Sequence, residues 1–178
     1  YFVQDEWRLP LFNVPELGFP EGANIIFTDS VPLMTLLSKV AFMFNEEAIN
    51  TMGLWLFLCF VLMGVGMAGV MSALGQRHIF GTTLASLFAL SAPIFLFRIG
   101  HAGLMGQFLI PFAYASYLKM VSVEGRNVST LPMICTAVCA LLVQAYFFPI
   151  VMAFFAAALS QRVINRQSRS EERRVGKE

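Results

Sequence analysis

The chain has 178 residues, a formal net charge of +1, 57% hydrophobic side chains and only 13% charged ones, about half the charged share of an ordinary soluble domain. Such a composition excludes a conventional water-soluble fold, and without a basic stripe carrying interleaved aromatics it excludes a nucleic-acid partner as well. Between Ala48 and Gln161 the only Asp, Glu, Lys or Arg residues are Arg77, Arg98, Lys119, Glu124 and Arg126, which leaves long uncharged runs at 48–76, 79–97, 99–118 and 127–161.

Residues 1–50 are a different material. Asp5, Glu6, Glu16, Glu21, Asp29, Glu46 and Glu47 outnumber Arg8 and Lys39, and Pro10, Pro15, Gly18, Pro20 and Gly22 forbid a long helix before Asn24. A short β-prone piece at 24–28 follows. Asp29 or Ser30 then caps a helix over 30–44, with Pro32 suited to its first turn. Leu33, Met34, Leu36, Leu37, Val40, Ala41 and Phe44 fall at helical spacing, with Thr35, Ser38 and Lys39 off that face. Too short to cross a bilayer, this helix is expected to lie at the interface, inside an outer (periplasmic) loop that covers 1–50.

A hydrocarbon core of about 30 Å takes about 20 helical residues. Five apolar segments are therefore expected to be membrane helices. The first, 51–73, carries Gly64, Gly66, Gly69 and Ala73 for close helix contacts. The second, 81–97, is kinked at Pro93, and the third is 104–120. The run 131–160 would be about 45 Å long as one helix; Gln144, Tyr146 and Pro149 divide it into 131–143 and 146–160. The expected fold class is all-α, a polytopic transmembrane helix bundle. With 1–50 outside, five crossings put Arg77, Lys119, Arg126, Arg162 and Arg166 inside against Arg8, Lys39 and Arg98 outside, the bias of a multi-pass protein of the bacterial inner membrane. Cys59, Cys135 and Cys139 fall in apolar runs and read as small packing residues. Residues 163–178 form a tail whose end, 169–178 (RSEERRVGKE), resembles the in-frame translation of a short-read sequencing adapter and is set aside as an artefact. Residues 1–168 are then expected to be an internal stretch of a larger membrane protein.

Five crossings also bring the ends of the second and third segments, and the turn in the last run, to the side of the acidic loop. Asp29 and Asp5 are the candidate catalytic residues there, carboxylates able to act as a base or to hold a divalent cation. Arg98 and His101 can meet a phosphate, and Gln144 and Tyr146 complete the candidate substrate-binding set. Each has a plainer role too: Asp29 as a helix cap, Arg98 snorkelling to headgroups, His101 bonding within a tight loop, Gln144 and Tyr146 satisfying a helix break. No zinc-ligand spacing, Gly-rich phosphate loop or GxSxG elbow occurs in the sequence.

Two groups of strings carry a family resemblance. The first is Trp7-Arg8-Leu9-Pro10-Leu11 with Gly18-Phe19-Pro20-Glu21-Gly22-Ala23-Asn24-Ile25-Ile26-Phe27-Thr28-Asp29-Ser30-Val31-Pro32-Leu33. The second is Ala89-Leu90-Ser91-Ala92-Pro93 with Arg98-Ile99-Gly100-His101-Ala102-Gly103-Leu104. They resemble bacterial membrane proteins that are similar to GT-C-type glycosyltransferases, multi-span enzymes that use polyprenyl-phosphate-linked sugars. The resemblance implies a larger fold of many membrane helices and a catalytic acid in the first outer loop, expected upstream of Tyr1. It carries over Asp5, Asp29, Arg98 and His101 as candidate site residues. Gln107 stands where the family has a histidine, and Gln144-Ala145-Tyr146 where it has a His-Pro-Tyr-like turn. The function it implies is transfer of a sugar from a lipid-phosphate carrier to an acceptor at the outer face, with the bilayer and the polyprenyl-phosphate-linked sugar as partners. The alternatives are a transporter or flippase, which calls for ionisable residues at mid-depth, and a non-catalytic scaffold whose loop binds a partner.

Overall fold

The structure, a computed structural model, describes residues 3, 11–16, 18, 20–25, 28–45, 50–122 and 129–175. Asp5, Glu46 and Glu47 lie outside the described residues. In chain order the elements are β1 (Asn13–Val14), β2 (Ala23–Asn24), α1 (Pro32–Asn45), α2 (Met52–Ala73), α3 (Ile79–Leu90), α4 (Pro93–Leu96), a 3₁₀ segment (Gly103–Phe108), α5 (Leu109–Val121), α6 (Leu131–Val143) and α7 (Phe147–Val175). The fold is all-α but for one two-residue antiparallel ladder, in which Asn13 faces Asn24 and Val14 faces Ala23.

That ladder positions the polar opening. Gly18 and Gly22 take φ of 73° and 76°, left-handed conformations that only glycine adopts freely. A Cβ on Gly22 would also lie 3.2 Å from Cα of Pro15. Phe12, Val14 and Ile25 bury together against Leu36 of α1 and Leu142 of α6. The hairpin is thereby fixed on one end of the bundle, called here the loop end.

Helix α1 occupies the expected stretch, and its apolar stripe divides. Met34 is buried with Ser38 and Lys39, Lys39 to 2% exposure, while Leu37, Val40, Met43 and Phe44 point outward, Phe44 at 82%. Apolar side chains so exposed are unfavourable in water and suit a lipid surround. Helix α3 goes further, with no buried residue and with Ile79, Phe80 and Phe88 almost fully exposed.

Among the described residues two helices, α2 and the Phe147–Asn165 part of α7, are long and apolar enough to cross a membrane; α3 and α6 are shorter apolar helices. At a rise of about 1.5 Å per residue α3 reaches only about 18 Å. The expected kink at Pro93 is a full break: α3 stops at Leu90 and α4 restarts at Pro93. Ala92 has φ −59° and ψ 125°, the extended conformation that a following proline imposes. The segment expected at 104–120 likewise begins as the 3₁₀ turn and becomes α-helical at Leu109. The run 131–160 is two helices, separated at Gln144–Tyr146.

Helices α2, α5 and α7 form the centre. Close approach of α2 and α5 rests on small residues. A Cβ on Gly66 would come within 3.0 Å of Pro111, and one on Gly69 within 3.5 Å of Ala115. On the 3₁₀ segment a Cβ at Gly106 would overlap the side chain of Val143, which no rotamer relieves cheaply. Phe60 meets Phe95 edge-on at 5.0 Å, and Trp55 meets Phe108 at 6.0 Å. Of the three cysteines Cys59 is buried as packing, whereas Cys135 and Cys139 face outward from α6.

Candidate functional site

At the loop end four chain segments converge, and the sequence explains each turn there. Residues 97–102, with Gly100 among them, run as turns between α4 and the 3₁₀ segment, so His101 sits exposed outside any helix. Its backbone N–H donates to the Arg98 carbonyl at 2.8 Å, which places both side chains on one turn. Trp55, in the first turn of α2, donates its indole N–H to the carbonyl of Ala102 at 2.8 Å in a buried bond. This bond pins the His101 turn to the start of α2.

Asp29 reaches the same turn from the turn that precedes α1. Its Oδ2 lies 2.8 Å from Nδ1 of His101, across 72 residues of sequence. An ionised carboxylate only accepts, so the imidazole carries its hydrogen on Nδ1 and donates it to Asp29. Nε2 is then left as the basic nitrogen. The two side chains are 47% and 56% exposed. A pair so open to solvent adds about 1 kcal/mol or less to stability; what it does is fix the tautomer and direction of the ring.

Asp29 is therefore not the helix cap considered for it. Ser30 does not cap α1 either: its hydroxyl donates to the carbonyl of Ile25 at 2.6 Å and accepts from Thr28 at 3.0 Å. These bonds close a tight turn that presents Asp29 sideways. Beside the pair opens a cavity of about 310 Å³, lined among others by Asp29, Ser38, Asn50, Thr51, Trp55 and Ala102. Ser38 and Thr51 hydroxyls are 3.2 Å apart on its wall. Thr35 and Ser38 of α1 thus add polar groups to a lining that Met34, Met52 and Trp55 make largely apolar.

Gln144, at the α6–α7 break, is 6% exposed and packs behind the pair. A Cβ on Gly103 would touch both its amide carbon and the carbonyl of Ser30 at 3.2 Å. Its Oε1 is buried and finds no hydrogen-bond partner among the described residues.

The structure thus brings Asp29 and His101 into contact, sets Gln144 behind them and leaves Arg98 exposed on the same turn. Tyr146 is exposed and makes no contact with the pair among the described residues. Asp5 lies outside the described residues. Trp55, Ser38 and Thr51 were not among the expected site residues. The signal for Trp55 was a lone indole in the first turn of an apolar helix, where its N–H needs a buried acceptor. Among the described residues no three His, Cys, Asp or Glu side chains gather as a metal site; Asp29 and His101 would offer two ligands.

The family model described as Domain of unknown function (DUF6311) matches residues 1–176. No curated protein and no solved structure matches the chain.

Proposed function

The chain belongs to the DUF6311 family, defined by sequence rather than by activity, and we propose that it is part of a membrane transferase of GT-C-like kind. The reaction is transfer of a sugar from a polyprenyl-phosphate carrier to an acceptor hydroxyl at the outer face of the bacterial inner membrane. The observation that carries this reading is the hydrogen bond between Asp29 and His101 beside a cavity that Asp29 helps to line.

An Asp-oriented imidazole is a general base suited to neutral pH. His101 Nε2 takes the proton of the acceptor hydroxyl as its oxygen bonds to the anomeric carbon. The bond from that carbon to phosphate breaks, and the phosphate leaves with the bonding electrons. Arg98, on the same turn as His101, offsets the charge that accumulates on the phosphate. Asp29 stabilises the imidazolium formed in between.

The membrane setting has separate support. Outward-facing apolar residues on α1 and α3 are what lipid favours, and α2 and α7 are long enough to cross. On this reading all five apolar segments cross or enter the bilayer. Arg77, Lys119 and Arg162 then stand at the end opposite the loop end, the cytoplasmic side by the positive-inside rule. A lipid-linked donor suits such a scaffold, because its tail stays in the hydrocarbon while its head reaches the loop end.

Proteoliposomes carrying the protein, supplied with radiolabelled polyprenyl-phosphate sugars, test the proposal. Transfer is expected, with a loss of about 100-fold or more in Asp29→Asn and His101→Ala. Transfer that survives both substitutions removes the assigned site; absence of transfer with every sugar donor removes the enzyme class.

A further inference from the structure

The cavity beside Asp29 is walled by the interior of the bundle. Val31, Met34, Ser38, Trp55 and Ala102 line it, and all five are buried. Asp29, Asn50 and Met52 line it from the exposed side, so it runs inward from the loop end between α1 and the start of α2. Its volume of about 310 Å³ falls at the small end of the range for small-molecule sites, about 300–1,000 Å³.

Its polar groups are turned away from their ordinary structural work. Thr51 stands at the N-cap of α2, where a threonine hydroxyl commonly accepts from a first-turn N–H and adds about 1 kcal/mol. Here it makes no such bond; it meets Ser38 on the cavity wall at 3.2 Å instead. Asn50 does part of the capping, its Oδ1 accepting from the N–H of Met52 at 3.0 Å, which leaves Nδ2 without a partner among the described residues. Asp29 likewise gives Oδ2 to His101 and keeps Oδ1 open.

The groups left open are of mixed kind. Oδ1 of Asp29 only accepts and Nδ2 of Asn50 only donates, while the Ser38–Thr51 pair, sharing one bond, keeps one O–H and spare lone pairs. A ligand that meets all three must both donate and accept, as hydroxyl groups do. An ammonium answers Asp29 alone. A carboxylate or phosphate is repelled by Asp29, and no Lys, Arg or His among the described residues lines the cavity to offset that charge. Met34, Met52 and Trp55 meanwhile offer apolar walls, which suit C–H faces set between hydroxyls.

We propose that this cavity is the acceptor subsite and that the acceptor is an uncharged sugar ring, held by Asn50, Ser38 and Thr51 with one hydroxyl on Asp29. The inference rests on the transferase reading above and narrows it: the acceptor hydroxyl belongs to a neutral glycan end, not to a peptide, an acidic sugar or a phospholipid headgroup. Asp29 both lines the cavity and bonds His101, so a ring held there lies beside the pair.

Titration calorimetry on the protein in lipid nanodiscs, free of glycoside detergents, reads this binding apart from transfer. A panel of uncharged methyl hexopyranosides is compared with methyl glucopyranosiduronate and with N-acetylserinamide. At least one neutral pyranoside is expected to bind, about tenfold or more tighter than the uronate or the serine compound. Asn50→Asp keeps an oxygen to cap Met52 but loses the Nδ2 donor, and Ser38→Ala combined with Thr51→Val removes both partners of one bond together. Each is expected to weaken pyranoside binding by about tenfold or more while Tm holds. A uronate that binds as tightly as the neutral ring, or N-acetylserinamide binding more tightly, overturns the ligand class. Unchanged affinity in either variant, or no binding by any pyranoside, overturns the cavity as the subsite, whether or not transfer is seen in proteoliposomes. Binding that follows these expectations without transfer from any donor supports the sugar site and removes the transferase reading instead.

Discussion

Asp29 and His101 are nearly half exposed, so their bond is worth little to the fold and much to the direction of one imidazole. Two measurements separate these effects. Asp29→Asn is expected to change unfolding free energy by less than about 1 kcal/mol and yet to lose most of the transfer rate. Trp55→Phe should behave in the opposite way. It leaves the carbonyl of Ala102 only the backbone N–H of Met105 at 3.3 Å, a loss of about 1 kcal/mol, readable as a drop in Tm of the detergent-solubilised protein. A Tm unchanged in Trp55→Phe would show that water replaces the indole, and would remove that residue's role in holding the turn. Both members of the pair stood out in the sequence as polar residues at the edges of apolar runs, next to Pro32 or between Gly100 and Gly103. Their pairing did not, because 72 residues separate them and only the packing of α1, α2 and the 3₁₀ segment joins them. Gln144 was legible as a helix break; its burial behind Gly103 was not, since it depends on how closely two distant backbones approach.

Helices were legible where apolar runs were long and their ends polar, as for α2, and at 30–44, where α1 forms. What the pattern did not show was which positions of α1 turn inward. Helical periodicity locates an apolar stripe, but whether that stripe meets the core or the surroundings depends on the solvent, and here Met34 is buried alongside Ser38 and Lys39. Pro93 was seen as a kink; with Ala92 forced extended, neither helix continues through it. Glycines within helices divide sharply by environment. Gly106→Ala is expected to destabilise by about 1–3 kcal/mol through overlap with Val143 and Phe147. Gly64, with nothing within 4 Å of its would-be Cβ, should instead gain about 0.5–1 kcal/mol as alanine. Thermal unfolding in one detergent compares them directly; equal effects would mean that the 3₁₀ segment does not pack on α6 and α7 as described.

Across the whole molecule, polar chemistry is sorted by end. Asp29, Arg98 and His101 gather where the hairpin packs, while Arg77 and Lys119 stand at the far ends of α2 and α5. Tyr117 donates to Gln161 at 2.7 Å, and Arg162 donates through Nε to the carbonyl of Met120 at 2.8 Å, where a cation also favours the C-terminal end of α5. This sorting predicts orientation. Alkaline phosphatase inserted within 20–22 should be active, and a fluorescent reporter fused after residue 76 should light up in the cytosol. The reverse pattern would turn the site toward the cytoplasm and remove the outer-face chemistry.

The contact between Gly66 and Pro111 sets what kind of motion the molecule permits. A proline ring seated where a side chain is missing acts as a peg in a socket, in the first turn of α5 and some two thirds of the way along α2, two helices that run in the same direction. Helices keyed in this way resist sliding along one another but allow a small pivot, which swings the loop-end tip of α2. A pivot of that kind would strain the Trp55–Ala102 bond first, so the grip on the imidazole would loosen before anything else in the bundle gave way.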